Sequence, residues 1–155
     1  MIKAILFAAA LMPIVPAHAQ AAAPAVSLSA DARAASVTID AFHTALKRGD
    51  TRAAAALLAE DALVFESGGV ERGKAEYASH HLPADALFAK AVRSAVTRRS
   101  GWADGRTAWI ATESTTKGTY KSKPINSIGT ETMVLRRDPT AWRIVHIHWS
   151  SKNVK

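Results

Sequence analysis

Two histidines and a glutamate near the C-terminus combine residue types and spacing that could support chemistry. His146 and His148 lie in Trp-Arg-Ile-Val-His-Ile-His-Trp, residues 142–149, a β-branched and aromatic run that predicts a strand. Residues i and i+2 of a strand project from the same face, so both imidazoles should point the same way. Asp-Pro-Thr-Ala at 138–141 predicts a turn, and the resulting hairpin register places Glu131 opposite His148. We expect the three side chains on one sheet face, facing an amphiphilic cavity.

This set supports acid–base chemistry without a metal. A carboxylate that faces an imidazole fixes its tautomer and raises its proton affinity, so His148 and Glu131 form a candidate catalytic pair. Such a pair could abstract a proton beside a carbonyl group, with Glu66 and Asp85 as alternative bases. The structural alternative is that His148 hydrogen-bonds Glu131 while His146 packs against Met133, because buried polar groups are normally satisfied by each other.

The same histidines could instead bind a metal. Two imidazoles on one strand face can chelate one ion, and imidazole with carboxylate suits zinc or copper. Glu131, His81 or Asp85 would supply a third ligand. The chain has no cysteine, which excludes thiol catalysis and thiolate metal sites. Apart from such a zinc or copper ion, no cofactor is expected.

A helical region at residues 73–91 is expected to close the cavity, with a kink or restart at Pro83. Adjacent helical residues point about 100° apart, so only one of His80 and His81 should enter the pocket. His81 is favoured because it shares a helix face with Tyr77, whose hydroxyl could donate to a ligand oxygen. The predicted ligand-binding residues are Tyr77, His81, Asp85, Glu131, His146 and His148.

The first nineteen residues have the pattern of an export signal. Lys3 precedes an apolar run, and Ala-His-Ala at 17–19 is a cleavage site of small residues. Residues 1–19 are therefore predicted to be removed, leaving a periplasmic or secreted protein with a flexible Ala/Pro segment at 20–28 and one domain at 29–155. No later segment approaches the ~20 apolar residues needed to cross a bilayer, so no stable membrane insertion is expected.

The order of elements predicts an α+β domain. Helices are expected at 29–48, 51–60 and 73–91, a short hairpin at 63–72, and long antiparallel strands from residue 92 onward. The 20 Lys and Arg residues exceed the 13 Asp and Glu residues, but the basic residues are dispersed and not interleaved with stacking aromatics. A nucleic-acid partner is therefore not expected.

This order resembles the nuclear transport factor 2-like (SnoaL-like) superfamily. Residues 131–138, Glu-Thr-Met-Val-Leu-Arg-Arg-Asp, and 142–150, Trp-Arg-Ile-Val-His-Ile-His-Trp-Ser, are similar to the association (hub) domain of calcium/calmodulin-dependent kinase II and its small bacterial relatives. The resemblance implies a cone-shaped, cystatin-like domain in which three N-terminal helices pack on a curved, mostly antiparallel sheet. It also implies a ligand cavity on the concave face and a homodimer or higher oligomer through the open face.

No single activity follows from the resemblance, because the superfamily includes isomerase-like and cyclase-like enzymes, dehydratases, and domains that bind or assemble. The hub pocket holds acidic ligands with strand arginines, whereas residues 131–133 here read Glu-Thr-Met. We expect an exported small-molecule-binding domain with an internal pocket. The alternatives are a metal-independent isomerase/cyclase-like or dehydratase-like enzyme with a His–Glu pair, and a metal-binding or assembly domain. Trp149, predicted opposite the histidines, is the candidate subunit contact.

Overall fold

The computed structural model of the chain describes residues 28–154. The predicted signal peptide, residues 1–19, and all but the last residue of the predicted flexible segment lie outside the described residues, so both stay predictions. Within residues 28–154, none of the helices is long and apolar enough to cross a membrane.

The first two helices begin and end where local signals predict. Helix α1 spans Ala30–Arg48, and the Ser29 side chain accepts a hydrogen bond from the backbone of Ala32 at 3.2 Å. Gly49 ends α1 in the left-handed conformation, with φ 74°. Helix α2 spans Thr51–Ala56 and is shorter than predicted, because the apolar residues that follow it enter a strand.

Two short helices replace the single third helical region. Helix α3 spans Lys74–Ser79 and helix α4 spans Leu82–Ala91, with His80 and His81 between them. Pro83 lies in the first turn of α4, where a missing backbone N–H costs no helical hydrogen bond. The predicted restart is therefore confirmed.

Within residues 28–154, six strands form one sheet. They are β1 (Leu58–Glu66), β2 (Gly69–Arg72), β3 (Val92–Ala103), β4 (Thr107–Tyr120), β5 (Lys123–Arg137) and β6 (Trp142–Asn153), in the spatial order β2-β1-β6-β5-β4-β3. Every pair is antiparallel except β1 with β6, which run parallel. Helix α1 packs across β3, β4 and β6, so the predicted α+β arrangement of helices on a mostly antiparallel sheet is confirmed.

The sheet face under the helices changes from apolar to polar along its strands. On β4, the inward residues are the fully buried Ala108 and Ile110, followed by Thr112, Ser114 and Thr116. The apolar end joins α1 in a core that includes Ile39, Phe42, Met133, Leu135, Ile144 and Ile147. Burying each large apolar side chain contributes about 1.5–3 kcal/mol, so this end anchors the helices. The polar end is left to line a cavity.

A β-bulge in β6 changes the predicted hairpin register. Leu135 pairs with Ile144, but Val145 is an extra residue, so Val134 pairs with His146 and Glu131 pairs with Trp149. The predicted alignment of Glu131 with His148 is therefore wrong.

The physical reason for the bulge is the spacing of apolar residues on β6. Trp142 and Ile144 are two positions apart, as are Ile147 and Trp149, but Ile144 and Ile147 are three positions apart. A regular strand would turn one of these pairs away from the core. The extra residue lets Trp142, Ile144 and Ile147 all be buried, and it turns the two histidines to the outer sheet face.

Candidate functional site

A cavity of about 350 Å³ lies between α1, α4 and the polar end of the sheet. Small hydroxyl side chains from three strands line the sheet side of this cavity. They are Ser94, Thr112, Ser114, Thr116 and Ser127. Phe88, Ala89 and Val96 add apolar surface, so one ligand could meet both polar and apolar walls.

Glu131 is the most buried acidic group of the cavity wall, with a side chain only 9% exposed. Its Oε2 accepts hydrogen bonds from His43 Nε2 and from Trp149 Nε1, both at 2.7 Å. Its Oε1 is buried and has no hydrogen-bond partner within residues 28–154. The carboxylate thus joins α1, β5 and β6 and keeps one oxygen free.

Glu131 is ionised at neutral pH. Burial acts to raise the pKa of its carboxyl group, but the hydrogen bond and charge of His43, the Trp149 bond and the charge of Arg99 together outweigh burial and hold that pKa below its usual value. An ionised carboxylate only accepts hydrogen bonds, so Nε2 of His43 carries a proton. In a neutral imidazole, Nδ1 is then the atom able to accept one.

An arginine also faces the cavity from β3. Arg99 Nη1 donates to Asp40 Oδ1 at 2.8 Å, and its Nε donates to Thr112 Oγ1 at 3.3 Å. Because Asp40 pairs with this guanidinium, the arginine is oriented and its charge is partly neutralised.

A second carboxyl group at the cavity, that of Asp85, has its pKa shifted in the opposite direction to that of Glu131. Asp85, in α4, accepts a hydrogen bond from the Tyr77 hydroxyl at 2.7 Å. Burial raises the pKa of Asp85 despite that bond, and burial together with the Asp85 charge raises the pKa of Glu66. Burial and the adjacent carboxylates raise the pKa of Tyr77 as well, so its phenol stays a donor.

The predicted site residues divide into two groups. Asp85 and Glu131 line the cavity, and the fully buried Tyr77 reaches it through Asp85. His146 and His148 lie instead on the outer sheet face, with ring centroids 4.9 and 6.2 Å from that of Phe65.

The predicted pair of His148 with Glu131 does not form, because the bulge separates the two faces. His81 binds Glu71 and does not line the cavity, because the break between α3 and α4 turns it away. Trp149, the candidate subunit contact, lies on the face opposite the two histidines as predicted, but that face is the cavity side, where its indole N–H donates to Glu131.

Four charged or ionisable residues of the cavity were missed by sequence reasoning, three on α1 and one on β3. Asp40, His43 and Lys47 follow one another at three- and four-residue spacing on α1, so they share a helix face that borders the buried Phe42. That spacing was a usable signal for Asp40 and His43. Arg99 had no such signal, because a bulge after Val96 sets the face of β3 to which it belongs.

Replacing Glu131 tests the electrostatic part of this site. We expect Glu131→Gln to lower the free energy of unfolding at pH 7 by about 1–3 kcal/mol, because the charge-assisted bonds from His43 and Trp149 weaken. The lowered pKa of Glu131 stabilises the fold fully above its ordinary value of 4.5, and that stabilisation is lost as pH falls through the lower folded value.

Urea denaturation between pH 3 and 7 provides the measurement. The wild type should lose more stability on acidification than Glu131→Gln does. The matched control is Glu113→Gln, at an exposed glutamate on β4, which should keep the wild-type slope. Equal acid sensitivity in Glu131→Gln and wild type would contradict the assigned role.

Comparison with solved structures shows the same fold. A candidate ketosteroid isomerase from Shewanella frigidimarina is 33% identical, with a TM-score of 0.74 over 80% of this chain and 100% of that chain. A candidate calcium/calmodulin-dependent protein kinase II association domain from Xanthomonas campestris is 23% identical, with a TM-score of 0.66 over 85% and 93%. A nuclear transport factor 2-like protein with a cystatin-like fold from Novosphingobium aromaticivorans is 21% identical, with a TM-score of 0.63 over 77% and 80%.

Among curated proteins, none matches the chain. The sequence itself matches the SnoaL-like domain over residues 36–153, which spans α1 from its second turn to the end of β6. The chain belongs to the SnoaL-like domain family, with the nuclear transport factor 2-like fold.

Proposed function

We propose that the chain is an exported small-molecule-binding domain whose ligand occupies the cavity between α1, α4 and the sheet. The observation that carries this proposal is the free Oε1 of Glu131, a buried acceptor in a cavity wall. An unsatisfied buried acceptor costs about 1–3 kcal/mol, which a ligand N–H or O–H would offset. A volume of about 350 Å³ also falls among cavities that hold small organic molecules.

The walls indicate the ligand's chemistry. A donor group would lie against Glu131, hydroxyl side chains such as Ser114 would contact a polar middle, and an apolar part would pack on Phe88 and Val96. An acidic ligand fits less well, because Asp40 already pairs with Arg99 and Glu131 is ionised. We therefore favour amphiphilic alcohols, amines and hydroxyketones.

Filling the cavity tests this proposal. In a thermal-shift screen of such compounds, a ligand at 100 times its Kd should stabilise the wild type by about 2.7 kcal/mol. Ser114→Phe should abolish the response, because the new ring enters the cavity. Thr115→Phe is the matched control, since the next residue of β4 projects from the other face. An unchanged response in Ser114→Phe would place the ligand elsewhere.

A proton-transfer enzyme is the second candidate. It is favoured by the opposite pKa shifts of two carboxyl groups at the cavity. Glu131 is held ionised and orients His43, whereas burial raises the pKa of Asp85, so Asp85 binds a proton more readily than an ordinary aspartate does. Titratable groups with pKa values pushed apart are suited to act as base and acid. His43 Nδ1 could take a proton from carbon beside a ketone, leaving the electron pair on an enolate oxygen that Asp85 protonates. The Shewanella relative carries a candidate isomerase assignment of this reaction type.

Turnover of an enolisable ketone tests this second candidate. We expect His43→Gln to lower the rate by about 10²–10⁴-fold, because general-base catalysis is lost, while ligand binding persists. His146→Gln, on the outer sheet face, should keep the wild-type rate. Equal rates in both variants would remove His43 as the base.

We also propose a homodimer through the outer sheet face. Trp102 and Trp109 pair across β3 and β4 and are 51% and 41% exposed; Leu63, 39% exposed, lies on the same face across β5 and β6, on β1. Exposed large apolar groups on one face are typical of interfaces. Sedimentation should show a dimer that Trp109→Arg converts to monomer, whereas Val37→Arg, at an exposed valine on α1, should leave it intact. A monomeric wild type would contradict the interface.

A further inference from the structure

A second cluster of ionisable side chains lies where β2 meets the break between α3 and α4. Glu71 comes from β2, Glu76 from α3, and His80 directly follows α3. One carboxylate oxygen or ring nitrogen of each lies within 4.8 Å of the other two. None of the three lines the cavity.

Glu71 is the unusual member of this cluster. Its side chain is only 6% exposed, and its Oε2 is buried with no hydrogen-bond partner within residues 28–154. Its other oxygen, Oε1, contacts His81 Nδ1. A buried carboxylate needs its oxygens satisfied, so the Oε2 without a hydrogen bond is available to a positively charged ligand.

The distance from that oxygen to His80 identifies what the partner could be. His80 Nδ1 lies 3.4 Å from Glu71 Oε2, beyond the usual 2.7–3.2 Å of an N–H···O hydrogen bond. Two ligand atoms about 2.0–2.1 Å from one tetrahedral zinc ion are themselves about 3.3–3.4 Å apart. The spacing therefore fits a shared ion.

Neighbouring hydrogen bonds orient the carboxylates of Glu76 and Glu71. Glu76 Oε2 accepts the backbone N–H of Arg72 at 2.6 Å, which fixes that side chain and leaves Oε1 to coordinate. His81 orients Glu71 through Oε1, as supporting residues of metal sites commonly do. Both histidines reach the same glutamate because the helix is interrupted between them; on a continuous helix they would diverge by about 100°.

We propose that Glu71, Glu76 and His80 bind one divalent transition-metal ion of the zinc type. Two carboxylates and one imidazole form a three-ligand set, and the 62% exposed side chain of His80 leaves a fourth position open to water. The imidazole disfavours magnesium, which prefers oxygen ligands. The ion would tie β2 to α3 and α4. This site is separate from the outer-face pair of His146 and His148.

Zinc titration of the untagged full chain tests the proposal. Calorimetry with ZnCl₂, and metal content after dialysis, should show one ion per wild-type chain. Affinity should fall at least tenfold in His80→Ala and in Glu71→Gln, whereas the double variant His146→Ala/His148→Ala should bind as wild type does. Because His80 is exposed, His80→Ala keeps a folded protein available even if Glu71→Gln does not fold; circular dichroism checks both.

Three results would overturn the site. They are the absence of stoichiometric zinc in the wild type, wild-type affinity in His80→Ala, and loss of zinc only in the His146→Ala/His148→Ala variant. Magnesium of equal affinity would also contradict it, because an imidazole ligand would then have no role.

Discussion

The buried carboxylate of Glu131 is the constraint on which the polar half of the molecule depends. Its Oε2 accepts from His43 on α1 and from Trp149 on β6, so one oxygen joins a helix to two strands. Without these donors, burial would favour a neutral carboxyl group, and the cavity would lose its fixed negative charge. The position of α1 and the electrostatics of the cavity therefore depend on the same two hydrogen bonds.

Much of the fold could be predicted because its signals are local. Ser29 and Gly49 bound α1, Pro83 marks the restart of α4, and Asp138 accepts the backbone N–H groups of Thr140 and Ala141 in the last turn. Such caps and turns act within a few residues, so a single sequence contains them. The order of elements then sufficed for the family, which the match over residues 36–153 confirms.

The site was less predictable because it depends on one inserted residue. Strict alternation along β6 put His146 and His148 inward, and the bulge at Val145 reversed both. The spacing of three positions between Ile144 and Ile147 was a usable signal of the bulge, since core residues keep their face. The partner of Glu131 could not be found in this way: His43 is 88 positions away, and only the packing of α1 on the sheet brings it within hydrogen-bond distance.

The single parallel pairing in the sheet has a consequence for how the chain folds. Within residues 28–154, the hairpin of β1 and β2 joins the rest of the sheet only through β6, which follows the other five strands in the sequence. Closing so long a loop is entropically costly, so this contact should form late and slow the folding reaction. Until β6 emerges from the ribosome, β1 has an unpaired edge. While β1 lacks this partner, the chain stays incompletely folded for longer. Any process that acts on the unfolded chain therefore has more time to do so.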